Sequence, residues 1–187
     1  QKLFGEPFAR DVGVTVPADV SQPPLELPWP ADQTWYYSGG PHGGWGGGSA
    51  WAAVDFVPPD TRQGCYDSEA WVTASAEGVV VRSQDGMVVV DLDGDGLEQT
   101  GWVLNYAHIA SRERVAYAGA RVRTGDLLGH PSCEGGVSTG THVHLARRYN
   151  GEWIPAGAGR IPMVLSGWTV RQAGRAYDGT LLKGDAV

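Results

Sequence analysis

Along most of the chain, apolar positions come in short runs punctuated by glycine, proline and asparagine, not in the long 3.6-residue rhythm of helices. Five runs read as strands. "AWAAVDFV" (50–57) is apolar and ends at Pro58-Pro59, and "AWVTASAEGVVVRS" (70–83) is β-branched and broken at Gly78, a turn or bulge. "GMVVVDLD" (86–93) and "GWVLNYAHI" (101–109), joined by an acidic glycine-rich stretch, predict a hairpin pair. "THVHLARRY" (141–149) alternates and ends at Asn150-Gly151, a strong hairpin-turn signal.

One further strand signal is broken by a turn, and the remaining segments read less regularly. "RVRTGDLLGH" (121–130) carries a turn at Thr124-Gly125-Asp126, and 160–182 has no clear period. Residues 1–34 hold Pro17, Pro23, Pro24, Pro28 and Pro30, which forbid a long helix and disfavour central strands. "GGPHGGWGGG" (39–48) reads as a flexible loop whose single ionisable side chain is His42. The expected fold is mainly β: one domain built as an antiparallel sheet or sandwich with long loops. Its expected division is an irregular N-terminal segment or linker over 1–24 and a folded domain over 25–187.

Composition sharpens this picture. The 187 residues suffice for one self-sustaining core, and 28 glycines with 12 prolines suit a loop-rich β fold. A formal net charge of −7 excludes a general nucleic-acid binder, which needs a basic face for phosphates. No apolar run reaches membrane-spanning length, so no membrane span is expected. Cys65 and Cys133 are too few for an all-cysteine zinc site. In an exported protein an even pair predicts one disulfide; the alternative is two free thiols.

Candidate chemistry rests on five histidines: His42, His108, His130, His142 and His144. In a strand, His142 and His144 project from one face while Val143 faces the core. Paired imidazoles serve metal binding or proton transfer, or are an ordinary surface pair. Asp55 stands in the apolar "AAVDFV", where a carboxylate is costly to bury unless paired or metal-bound. His42, Asp55 and one histidine of the pair, with water in a fourth position, would make a catalytic rather than a structural zinc set.

The order of these motifs carries a resemblance. "H(x12)D" from His42 to Asp55, "NYAHI" around His108 and "CEGGVSTGTHVHL" (133–145) resemble the M23 family of zinc peptidoglycan endopeptidases, the lysostaphin-type enzymes. "LPW" (27–29), "CEGGVSTG", "YNG" (149–151) and "YD" (177–178) are similar, in the same order, to its LasA (staphylolysin) branch. The likeness spans roughly 25–178. It implies His42, Asp55 and His144 as Zn2+ ligands, His142 and His108 as catalytic histidines, and Tyr177 as a stabiliser of the transition state. Which histidine is base and which acid stays open. His130 matches no motif position and reads as a loop histidine.

The implied protein is a secreted or extracytoplasmic bacterial monomer. It hydrolyses peptide cross-links of peptidoglycan, with Gly-Gly bonds the favoured target. The competing reading is an inactive domain of the same fold that binds cell wall or a partner. Cys65 precedes the "WVTASAEGVVV" run, whereas the LasA partner cysteine follows the corresponding strand.

Two further motifs have weaker claims. "GVSTG" (136–140) fits the serine nucleophile elbow around Ser138, but a glycine loop precedes it and a strand follows where a helix is needed. "DLDGDG" (91–96) resembles the start of a calcium loop, yet the twelfth position is Trp102, not glutamate. It reads first as an acidic hairpin turn and, as the alternative, as a structural Ca2+ site of Asp91, Asp93 and Asp95.

Overall fold

The computed structural model describes residues 15–60 and 62–184; the remainder of the expected N-terminal segment, 1–14, lies outside the described residues. Among them there are thirteen strands and no helix. The main sheet runs in the order β1 (Tyr36–His42), β2 (Ala53–Val57), β9 (Val143–Tyr149), β6 (Trp102–Ala107), β5 (Met87–Asp91), β4 (Gly78–Gln84), β7 (Arg121–Val122), with β10 (Glu152–Trp153) paired to β9. Every pairing is antiparallel. A small sheet joins β11 (Val164–Leu165), β12 (Trp168–Arg171) and β13 (Thr180–Leu182), and another pairs β3 (Val72–Thr73) with β8 (Leu127–Gly129).

The alternation within strands assigns the two faces of the main sheet. Val54, Phe56, Val143, Leu145, Leu104 and Tyr106 point into one core, closed by Leu25, Trp35, Met163, Leu165 and Val170. Burial of such side chains stabilises by about 1.5–3 kcal/mol each. On the opposite face Met87, Val89, Val103 and Ala107 form a smaller apolar cluster, and the same face carries Asp55 and His144. Val143 therefore faces the core, as its place between two histidines predicts.

The β5–β6 hairpin pair and the β9–β10 turn at Asn150-Gly151 match the sequence reading. Three details correct it. Gly39 to His42 is not loop: it is the end of β1, with bulges that interrupt its register against β2. The unclear 160–182 segment forms the three-stranded sheet. The strands on either side of the Thr124–Asp126 turn do not pair with each other; β7 joins β4 and β8 joins β3. Local pattern shows a turn but not the partners of the strands it connects.

Residues 15–24 hold no strand and lie hydrogen-bonded on the domain. Asn150 donates to the Thr15 carbonyl at 3.0 Å and Trp102 to that of Ser21 at 3.0 Å. Arg147, on the core face of β9, is fully buried. Its guanidinium donates to Gln22 Oε1 and to the carbonyls of Pro155, Ile161 and Pro162, fastening the segment to the loop after β10. Burial without a carboxylate partner pulls its pKa down to about 9.

Candidate metal and catalytic site

The site lies across the edge of the face opposite the main core. Strand register aligns Gly39 with Asp55, Asp55 with His144 and His144 with Ala107, so one row crosses β1, β2, β9 and β6. Directly paired residues share a face. Asp55 and His144 are thus neighbours by register, and the bulged end of β1 delivers His42 beside them. His108 follows the last residue of β6 with φ of 63°, a left-handed turn that swings it off the strand. His142 stands just before β9, bridged to Ser132, and still projects beside His144. The sequence places both histidines in the strand; the regular ladder begins one residue later.

His42 Nε2 lies 2.9 Å from Asp55 Oδ1, and His144 Nδ1 lies 3.3 Å from the same oxygen. Tetrahedral zinc with ligands at about 2.0–2.1 Å requires donor separations of roughly 3.3 Å. His42 Nε2 and Asp55 Oδ1 are buried and, despite their closeness, make no in-line hydrogen bond. Both atoms instead face a shared point. His144 donates its other ring nitrogen, Nε2, to the Gly44 carbonyl at 3.1 Å, which leaves Nδ1 with a free lone pair. Gly44 is required there, since a Cβ would sit 2.5 Å from the Trp153 ring. These three side chains could hold a metal ion. Burial would raise the Asp55 carboxyl, but contacts with the imidazoles of His144 and His42 hold it below the usual carboxylate range.

The other two histidines are oriented by carbonyls. His108 Nδ1 lies 2.7 Å from the Glu134 carbonyl and His142 Nδ1 lies 2.8 Å from that of Gly140. A carbonyl only accepts, so each Nδ1 carries a proton, and in a neutral imidazole held this way Nε2 is the basic nitrogen. His142 Nε2 is 3.6 Å from Asp55 Oδ2, and the two rings lie 4.4 Å apart. Burial, then the neighbouring His142, lowers the His108 pKa to about 4, so it is neutral near pH 7. Tyr177 stacks on His42 at 4.2 Å, and burial followed by the Asp55 charge raises its hydroxyl pKa.

All these residues line one cleft of about 800 Å³, rimmed by Trp45 and Val137. Cys65 and Cys133 form a disulfide beside it, closing a loop with a sequence separation of 68. In the chain-entropy model that constraint is worth about 4 kcal/mol. His130 is outside the cleft. It is a buried residue after β8 that packs on Trp71 at 3.9 Å and bonds the Ala70 carbonyl at 2.8 Å. Ser138 Oγ approaches His142 Nδ1 at 3.3 Å, but that nitrogen already carries the proton given to Gly140. It cannot deprotonate the serine, and the hydroxyl itself bonds the Gly140 carbonyl at 2.7 Å. Asp91, Asp93 and Asp95 also converge, yet Asp91 accepts the backbone N–H groups of Asp93, Gly94 and Gly96 at 3.1, 3.3 and 2.8 Å. That is the bonding of an acidic turn.

The backbone acceptors at Gly44, Glu134 and Gly140 have no side-chain signature, so only the surrounding "CEGGVSTG" and glycine-rich motifs hint at them.

Residues 64–155 match Peptidase family M23. The matched stretch contains His108, His142 and His144, while His42 and Asp55 reach the site from the strands before it. The chain is 26% identical over 172 residues to Protease LasA of Pseudomonas aeruginosa, covering 82% of this chain and 38% of that protein. It is 28% identical over 166 residues to Beta-lytic metalloendopeptidase of Achromobacter lyticus, covering 82% and 40%. The chain thus spans about two fifths of the length of these curated relatives. In structure it is similar to the M23 metalloprotease pseudoalterin from the deep sea, with a TM-score of 0.66, 26% identity and coverage of 87% and 92%. Among the described residues no helix is long and apolar enough to cross a membrane.

Proposed function

We propose that this M23 domain is a zinc endopeptidase cutting peptide cross-links of bacterial peptidoglycan, with Gly-Gly bonds the first candidates. One observation carries the reading. Three metal-ligating atoms of His42, Asp55 and His144 converge, beside two histidines that line the same cleft with their Nδ1 atoms held by carbonyls. Zinc bound there would lower the pKa of a coordinated water to about 7 and polarise the scissile carbonyl.

The chain's own groups then have separable tasks. His144 and His42 present donors, with His144 held by Gly44. His142 or His108 accepts a proton at Nε2. A neutral imidazole held at Nδ1 donates from Nε2 only after gaining a proton there, so a histidine that first acts as base can then serve as the general acid for the leaving amine. The Tyr177 hydroxyl, kept protonated by burial and by Asp55, is a donor for the developing oxyanion. The Gly46–Gly48 loop, Trp45 and Val137 line the cleft, and glycines there leave room for the backbone of a substrate poor in side chains to approach.

The disulfide supports an oxidising, extracytoplasmic location. Residues 25–187 are proposed as the peptidase domain and 1–24 as a linker, of which 15–24 are hydrogen-bonded to the domain.

Mass spectrometry of products from defined cross-linked muropeptides tests the proposal. Cleavage within pentaglycine, abolished by a chelator and restored by zinc, is expected. Cleavage of D-Ala-containing bridges alone would replace the Gly-Gly assignment. Stoichiometric zinc without hydrolysis of any wall type would turn the reading to a binding domain.

A further inference from the structure

His108 is presented to the cleft in a conformation that needs outside support. Its φ of 63° is a left-handed backbone, strained for a residue with a side chain. The support comes largely from one residue. Glu134 accepts the His108 Nδ1–H on its backbone carbonyl at 2.7 Å, and its own N–H donates to Ser132 Oγ at 3.0 Å. Ser132 in turn donates N–H and O–H to the His108 carbonyl at 2.7 and 3.1 Å. The Glu134 carboxylate reaches the other side of the same turn. It accepts the Ser111 N–H at 2.8 Å and the Ser111 hydroxyl. Gly135 packs against the β4–β5 turn so closely that a Cβ at Gly86 would meet its nitrogen at 2.3 Å.

From this geometry we infer that Glu134 is a positioning residue: its side chain clamps the segment after His108 so that its carbonyl fixes the His108 tautomer with Nε2 toward the cleft. Glu134 is not among the residues lining the cleft, and it acts through His108. The proposed metal ligands His42, Asp55 and His144 are carried by β1, β2 and β9, whereas the Glu134 hydrogen bonds go to His108, Ser111 and Ser132. Losing the clamp therefore leaves metal binding intact. The inference rests on the peptidase reading for its kinetic consequence, but not for its structural one.

The test uses the zinc-loaded chain and the variants Glu134→Ala, Glu134→Gln and Ser111→Ala. Glu134→Ala should lower kcat at least about 10-fold with KM within about 3-fold, since it impairs a proton-transfer group worth about 10²–10⁴. Zinc per chain should be unchanged. Glu134→Gln, whose amide can still accept from Ser111 N–H, should recover kcat to within about 3-fold of the parent. In 15N spectra of the histidine side chains, the Nδ1–H form of His108 should dominate in the parent and in Glu134→Gln and give way to Nε2–H in Glu134→Ala. Ser111→Ala, which removes one of the two clamp bonds, should shift both readouts part of the way and serves if Glu134→Ala does not fold. An unchanged tautomer in Glu134→Ala overturns the inference, whether kcat falls or not. If the parent cuts no cross-linked peptide, the peptidase reading fails while the spectra still decide the clamp.

Discussion

Among the described residues, two places bring three ligating side chains within 4.8 Å, and they are chemically opposite. At Asp91, Asp93 and Asp95 the buried carboxylate is already satisfied by three backbone N–H groups of its own turn. At His42, Asp55 and His144 the nitrogens and oxygen approach each other without bonding, and the remaining His144 nitrogen is held elsewhere. Proximity is common among acidic loops; unengaged donors aimed at one point are not. The contrast separates a carboxylate that organises backbone from one prepared for a cation.

The strongest way to break that contrast is His144→Ala. It should abolish stoichiometric zinc, read by elemental analysis, and lower turnover by on the order of 10³-fold or more, because the nucleophilic water loses its activation. Wild-type zinc content in this variant would move the metal centre elsewhere. Next, His142→Ala should keep zinc and lose about 10²–10⁴ in kcat. Full activity there would remove His142 from the proton path.

At the acidic turn, Asp91→Ala should leave zinc content unchanged and destabilise by about 1.5–3 kcal/mol in urea unfolding, the worth of hydrogen bonds to a charged group. An effect under a few tenths would show that the turn does not depend on this carboxylate. The smallest effect is in pH dependence, where the two clusters should have opposite sign. A hydrogen bond with Asp91, then burial and repulsion from Asp91 and Asp95, raise the Asp93 pKa to about 6. The folded state thus holds this proton more tightly than the unfolded chain does. Its stabilisation is full below about pH 4 and lost as pH rises to about 6. Asp55 is held low, so in the metal-free chain its contribution is present above the unfolded carboxylate pKa of about 3.9 and lost as pH falls below it. Denaturation curves of Asp93→Asn and Asp55→Asn across pH 2–7 should each lose the corresponding slope. The same sign for both would remove the distinction.

Much of the fold was readable because it is local. Alternation in 86–109 and the Asn150-Gly151 turn specify neighbouring antiparallel strands with two residue types of signal. The end of β1 was not readable. Gly39, Gly40 and Pro41 have the composition of a loop, and only pairing with β2 makes them a strand. The three-stranded sheet after Gly159 was equally hidden, because strands of two to four residues are too short to display a period. At the site, the identities of the five chief residues came from motif order and resemblance, while their individual patterns were ordinary. Asp55 is one polar residue in an apolar run until the register sets it opposite His144.

By itself the sequence determined the β class, the shared face of His142 and His144, and the types of group available for metal and proton chemistry. These depend on backbone period and on side-chain identity, both local properties. The tertiary structure alone decided which nitrogen of each histidine is free. That choice is made by the carbonyls of Gly44, Glu134 and Gly140. A backbone carbonyl is the same in every residue, so its role appears only when the fold brings it to a ring.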